Sequence, residues 1–405
     1  MDGLTPLIDQ HSRGALHGEL GLGSFEAHLA ASAGALGPAS ADATFFDSWT
    51  GLAVRRWCPP LLGLEPHCAP ARYLARRRDL GAYHAGRVLL RGAGIGAYLV
   101  ETGAPGPAAD PYDPTGSLTT AAELSAAADA PVHEIVGLER LAEDTADTAG
   151  SVDGFLSATA EAVHAAAGHA VAFASRAPHC AGRAPTSAEV RRAADRWLRA
   201  REDAYGTSYG KADTYRHEEI YRYEEAYRHE ETHRHEDTYR HEDTRPHPPR
   251  RPPRDPVLAR YLLWHAVATG IPVQLHCPDP HPLTGFLHAT TGLGTDVVLL
   301  VRAPYHQRAA RLAAAYPHVY ADAGPHPEET LRLAPFGKLL FSTGARGLPE
   351  LYVTAARLFV RAVERTLGEW LREGVCGWAD ARRIAALLAS GTARRIYRRD
   401  AAGAD

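Results

Sequence analysis

The sequence predicts an α/β protein: a (β/α)8 TIM barrel with an inserted low-complexity charged repeat. Three observations predict it. Short apolar runs alternate with Ala-rich helical stretches along most of the chain, as parallel strands joined by crossover helices do. There are eight such runs, the number that closes a barrel of this type. At 405 residues the chain can bury a large core, and barrels routinely exceed the usual domain length as one unit.

In chain order, strands are expected at 4–9, 96–101, 133–138, 170–175, 271–276, 296–301, 318–322 and 338–343. Each is too short for a helix and sits between helical or turn-forming stretches. Helices are expected at 24–31, where Ser24 reads as a cap ahead of Phe25 and Glu26, and at 70–80, 120–129, 152–167 and 187–201. A long C-terminal helical section covers 348–373 and 378–397. The chain therefore divides into a first barrel half at 1–201, an insertion at 202–254, and a second half with C-terminal helices at 255–405.

The insertion breaks every pattern around it. From Tyr215 to Thr244 a six-residue unit beginning Tyr-Arg-His-Glu-Glu-Ile occurs five times, with five arginines and ten acids in all. The next ten residues, Arg245 to Arg254, hold five prolines and four arginines. At about 100° per residue, six residues advance about 600°, so successive tyrosines fall about 240° apart and no apolar stripe forms. Glu precedes Arg at i,i+4 in Glu218–Arg222, Glu224–Arg228, Glu230–Arg234 and Glu236–Arg240, each pair worth about 0.2 to 0.5 kcal/mol. A solvated helix stopped by the Pro-rich tail is the physical reading. His217, His229, His233, His235 and His241 raise metal scavenging as a role, against a tandem expansion tolerated in a surface loop.

Apolar residues at 45% and charged residues at 23% describe an ordinary soluble globule. A formal charge of −4 gives no case for nucleic acid. Lys211 and Lys338 are the only lysines, which reads as codon bias. Cys58, Cys68, Cys180, Cys277 and Cys376 are scattered and lack Cys-x-x-Cys spacing, arguing against a disulfide framework or zinc ribbon. No apolar run reaches about 18 residues, and no leader is evident, so a cytoplasmic protein without a membrane partner is expected. Phosphate-loop and nucleophile-elbow motifs are absent.

Chemistry concentrates at strand ends. Asp9-Gln10-His11-Ser12-Arg13 reads as an Asp-x-His-x-His metal motif whose second histidine is arginine. Alternate strand residues point the same way and can grip one cation, but arginine offers only donors. His276 ends the fifth expected strand, Glu101 the second and Thr343 the eighth, all at the mouth where barrel enzymes build their sites.

These residues, with Phe46-Asp47-Ser48, Arg55-Arg56-Trp57-Cys58-Pro59-Pro60, Gln274-Leu275-His276, Leu340-Phe341-Ser342-Thr343 and Gly347-Leu348-Pro349-Glu350, resemble the amidohydrolase-related family of the metal-dependent hydrolase superfamily. The branch most resembled is the hydrolase-like half fused to some glutamine synthetases. The resemblance implies a (β/α)8 barrel binding a divalent metal such as zinc, which activates water near neutral pH. His11 and His276 match its metal ligands. Arg13 stands at the second histidine of the first strand, Val301 at the histidine after the sixth, and Gly344 at the catalytic aspartate after the eighth.

Those departures imply a degenerate metal centre with impaired catalysis, no assignable catalytic residue, and possession of a bound metal left open. Arg13 and Glu101 are then candidates for substrate binding. Three alternatives stand beside it. One is an active metal-dependent hydrolase of C–N bonds that uses His11 and His276 with substitutes from Asp279, His281, His306, Asp322 or His326. Another is a metal-dependent decarboxylase with Arg13 or Arg346 on the substrate carboxylate. The third is an interaction or metal-scavenging protein working through the repeat. A small-molecule substrate is the expected partner of an active form, and homo-oligomerisation is compatible with all four.

Overall fold

All eight apolar runs form strands, and these pair in parallel in sequence order: β1 (Leu7–Ser12), β2 (Ile95–Thr102), β3 (Val132–Gly137), β4 (Ala172–Ser175), β5 (Val273–His276), β6 (Val297–Leu300), β7 (Val319–Asp322) and β8 (Leu339–Leu340). The computed structural model describes residues 6–16, 18–32, 44–102, 118–176, 182–203, 255–324 and 326–397. The charged repeat, its histidines, the Pro/Arg-rich stretch and Cys180 lie outside the described residues. The β1 region and the segment after β8 are joined by backbone hydrogen bonds from Gln10 N to Phe341 O (3.0 Å), Gly344 N to His11 O (3.1 Å) and Arg13 N to Ala345 O (2.9 Å). The expected (β/α)8 barrel is the observed one.

Helices surround the strands: α1 (Leu22–Ser32), α2 (Trp49–Leu61), α3 (Pro70–Leu80), α4 (Ala82–Gly92), α5 (Ala121–Ala128), α6 (Leu138–Thr148), α7 (Val152–Ala167), α8 (187–203), α9 (Pro256–Ala268), α10 (Thr284–Thr290), α11 (His306–Ala315), α12 (Pro349–Arg372), α13 (Trp378–Ala386) and α14 (Thr392–Ile396). Sequence periodicity missed α2, α4, α6, α9, α10 and α11. In α2 the reason is local: Pro59 and Pro60 lie in its last turn and read as breakers. Pro59 leaves the Arg55 carbonyl without its helical donor, and the His67 amide takes it at 2.6 Å. The start of α5, by contrast, falls where it was expected, and a reciprocal capping box between Thr120 and Glu123 fixes it.

Two apolar layers result. Outward strand residues such as Tyr98, Phe173 and Phe341 pack with the helices, among them Tyr352 and Phe359 of α12. Inside the barrel, Leu99, Ile135, Ala172 and Ala174 face Val298, Leu300, Tyr320 and Leu340. Ala393 and Ile396 of α14 pack into this interior, and Tyr397 reaches both inner clusters.

Asp9 ties β1 to the segment after β8. It is fully buried and accepts from Thr343 N (2.8 Å), Thr343 Oγ1 (2.6 Å) and His11 N (3.3 Å). Burial pushes its carboxyl from 3.8 up to about 7, against the lowering effect of the Thr343 bonds. A native state that holds this proton more tightly than the unfolded chain loses stability as pH rises from about 4 to about 7, by up to about 4 kcal/mol. Asp9→Asn is expected to flatten that slope, read as the urea midpoint across the same pH range. An unchanged slope would assign the effect elsewhere.

Candidate metal centre

Strand alternation sends every second side chain inward, and at the C-terminal mouth these include Glu101 of β2 and His276 of β5. His11 joins them through an irregularity. Gln10 and His11 are consecutive, yet both side chains reach Gln274, which a regular pleat forbids. The pairing register of β1 shifts between Asp9 and Ser12, and such a shift re-aims a side chain.

Glu101 Oε2 lies 3.7 Å from His11 Nε2 and 3.6 Å from His276 Nε2, and one ligand atom from each of the three residues falls within 4.8 Å of the others. The two imidazoles meet edge to face with centroids 4.6 Å apart. The tautomer of His11 follows from its neighbour. Gln274 Nε2 donates to the Gln10 carbonyl (2.8 Å), so its Oε1 faces His11 Nδ1, also at 2.8 Å. Nδ1 therefore carries the proton, and Nε2 presents a lone pair to a carboxylate oxygen.

Charge makes this arrangement informative. Burial, then the neighbouring His276, holds His11 well below its ordinary value, so its ring is neutral near pH 7. Burial likewise lowers His276. Burial alone would raise Glu101, but the contact with His276 and the charge of Arg13 outweigh it and keep the carboxyl ionised. Among the described residues Glu101 Oε1 is buried without a hydrogen-bond partner. A lone pair of His11 and an anionic oxygen thus face one another beside a second imidazole, a donor set that a cation would complement.

Gln274, which orients His11, is itself held in place. Gln274 Nε2 also reaches Gln10 Oε1 (3.1 Å) and the Tyr397 hydroxyl (2.8 Å), and that hydroxyl donates to Gln10 Oε1 (2.6 Å). The C-terminal tail therefore sets the orientation of a mouth residue from inside the barrel.

Arginines ring the same carboxylate. Arg13 Nε is 3.2 Å and Arg176 Nη2 2.8 Å from Glu101 Oε2. Arg176 is placed by Glu139, whose Oε1 accepts from the Arg176 amide (2.9 Å) and from Ser175 Oγ (2.6 Å). Burial lowers Arg13 to about 10, with Glu101 opposing that shift and nearby Arg176 and Arg346 adding to it. A Cβ built on Gly344, whose φ is +56°, would lie 3.5 Å from Arg302 Nη2. Any side chain there would be strained and would meet a guanidinium.

The sequence-chosen residues separate accordingly. His11, His276, Glu101 and Arg13 come together at the mouth. Val301 faces outward into the helix-packed core, so the inward positions at that strand end are Leu300 and Arg302. Of the proposed substitute ligands, Asp279 pairs with Arg308 (2.8 Å) and His306 with Glu329 (2.7 Å), and Asp322 accepts from Ser342 Oγ (2.9 Å). Burial raises Asp322 to about 6. Among the described residues the three-donor group contains only His11, Glu101 and His276. Arg176, Arg302 and Tyr397 were missed, for no local pattern marks them. Gln274 was visible two residues before His276, on the same strand face.

No family model matches this sequence, and no curated protein matches it. Solved structures do. A Lactobacillus casei ATCC 334 protein provisionally described as a metal-dependent hydrolase is 20% identical with a TM-score of 0.69, covering 98% of both chains. Uronate isomerase of Thermotoga maritima is 13% identical with a TM-score of 0.56, over 97% of this chain and 94% of its own. Glucuronate isomerase of Caulobacter crescentus is 14% identical with a TM-score of 0.56, over 98% and 92%. At such identities the likeness establishes the fold, a barrel scaffold shared with hydrolase-like and isomerase proteins.

Proposed function

We propose that the barrel mouth holds one divalent cation among His11, Glu101 and His276, and that the chain is a metal-dependent hydrolase acting on an amide or related C–N bond of a small molecule. The observation that carries this reading is the convergence of two buried imidazoles and one ionised carboxylate oxygen on one point at the barrel mouth. Two histidines and a glutamate are a recurrent donor set of catalytic zinc, and separations of 3.6 to 3.7 Å suit side chains poised around one ion. Zinc fits the mixed imidazole and carboxylate donors. When bound, such a cation polarises a carbonyl and acidifies water.

The chain's own residues prepare that site. Gln274 fixes the tautomer of His11, and Gln10 with Tyr397 fixes Gln274. The Arg13 and Arg176 charges oppose occupancy, since a guanidinium within about 4 to 6 Å of a divalent cation repels it by roughly 5 to 8 kcal/mol at an effective dielectric of about 20. That opposition favours the competing reading of an impaired scaffold, in which Arg13 substitutes for the ion. The narrower likeness to the glutamine synthetase-fused branch rests on the ordered motifs alone. No helix among the described residues is long and apolar enough to cross a membrane, which accords with a cytoplasmic setting.

Metal content of the purified chain decides between the two readings. About one zinc or manganese per chain, with chelator-sensitive hydrolysis of an N-acyl amino acid panel, is the expected result. A metal-free protein that takes up neither ion on addition would support the impaired scaffold. Tyr397→Phe removes one donor from the Gln10–Gln274 network and should weaken cation affinity by about 10-fold, as loss of such outer contacts commonly does. Unchanged affinity would show that Gln274 is held without it.

A further inference from the structure

Glu101 Oε2 is oversubscribed while Oε1 is empty. Arg13 Nε and Arg176 Nη2 sit on the same oxygen that faces both imidazoles, whereas Oε1 is buried with no partner. Among the described residues that oxygen is the sole ion-pair partner of each arginine, one nitrogen of each making the contact, and both side chains are partly exposed at 23% and 31%. Behind them, Arg346 lies close enough to Arg13 to disfavour its charge, and Arg302 reaches over Gly344. Among the described residues no carboxylate forms an ion pair with Arg346 or Arg302, although Asp322 is near enough to Arg302 to feel its charge. The mouth thus sets two guanidiniums on one ionised, buried carboxylate, with Arg346 beside Arg13. Planar forks of this kind bind carboxylates and tetrahedral oxyanions.

From this geometry we propose that Arg13 and Arg176 form an oxyanion site whose filling draws them off Glu101, so that a small oxyanion and a divalent cation bind the mouth cooperatively. The inference rests on the metal centre proposed above and adds a second ligand and a linkage to it. Before the oxyanion arrives, the two arginines neutralise Glu101 and keep the cation weakly bound. Once they turn to the oxyanion, Oε2 is free to face the two imidazoles, and the anion offsets the guanidinium charge. A substrate bearing a carboxylate or phosphate would thereby assemble the metal site that acts on it. Linkage requires the effect to be reciprocal: the cation must tighten the anion by the same factor.

The test is calorimetric titration of Mn²⁺ into the full chain in chloride buffer, alone and with saturating propionate or sulfate. At least tenfold tighter Mn²⁺ binding with either probe is expected, with propionate alone effective if the site selects carboxylates and both effective if it takes oxyanions generally. Arg176→Gln should bind Mn²⁺ more tightly than the native protein in chloride and gain little from either probe, an outcome that simple structural damage does not produce. Equal Mn²⁺ affinity with and without both probes overturns the cooperative site and leaves the metal centre standing. Absence of Mn²⁺ binding under every condition, Arg176→Gln included, overturns both.

Discussion

His276→Ala and Glu101→Gln are each expected to abolish stoichiometric cation binding, weakening affinity by more than about 100-fold, because a site reduced from three protein donors to two no longer fixes a cation. The two variants fail for different reasons, and that difference is itself a check. His276→Ala removes an imidazole at the end of β5 but leaves Glu101 with Arg13 and Arg176, so the fold and the local charge balance survive. Glu101→Gln removes the only carboxylate among the three donors and leaves two guanidiniums facing a neutral amide, so it should also release Arg13 and Arg176. Metal content by mass spectrometry after dialysis, with circular dichroism as a control on folding, measures both. Stoichiometric metal retained by either variant would place the cation elsewhere.

Glu350→Ala is expected to cost about 3 to 5 kcal/mol of folding stability, the usual consequence of stranding one member of a buried ion pair. Glu350 stands in the first turn of α12, where the helix terminus favours a carboxylate, and is fully buried. Its Oε1 lies 2.9 Å from Arg77 Nε of α3 and accepts the Tyr73 hydroxyl at 2.7 Å. The Arg77 guanidinium also lies over the Phe25 ring, 5.7 Å from its centroid. Truncation therefore leaves a charge and a hydroxyl without their acceptor in a dry layer outside the barrel wall. Combining Arg77→Met with Glu350→Leu should recover most of the loss, since apolar replacement of a whole buried pair is often neutral. Urea midpoints of the single and double variants measure this, and equal destabilisation by both would locate the effect in packing and not in charge.

The barrel was legible because its signals are local. Apolar runs at 96–101, 271–276 and 296–301 are strand-length and bounded, so eight strands could be placed before any contact was known. Helices with mixed composition were less visible: α11 reads as a polar segment because His306, Gln307, Arg308 and Arg311 fill its first two turns, while Ala309, Ala310 and Ala313 bury a small-residue face. At the site, His11 and His276 announced themselves by position at strand ends. Glu101 was also noted there, but with a substrate-facing role, because nothing in its own neighbourhood in sequence says that it meets two imidazoles.

By itself, then, the sequence determined the eight-strand α/β repeat, the insertion at its middle, and which strand ends carry ionisable groups, since periodicity and turn chemistry act over a few residues. Tertiary structure alone decided which of those groups share a point in space. Arg176 just after β4, Arg302 just after β6 and Tyr397 just after the last helix reach the mouth or its support only because barrel closure brings together residues separated by up to 387 positions. Convergence of that kind depends on strand register and the bulge in β1, and neither leaves a mark on neighbouring residues.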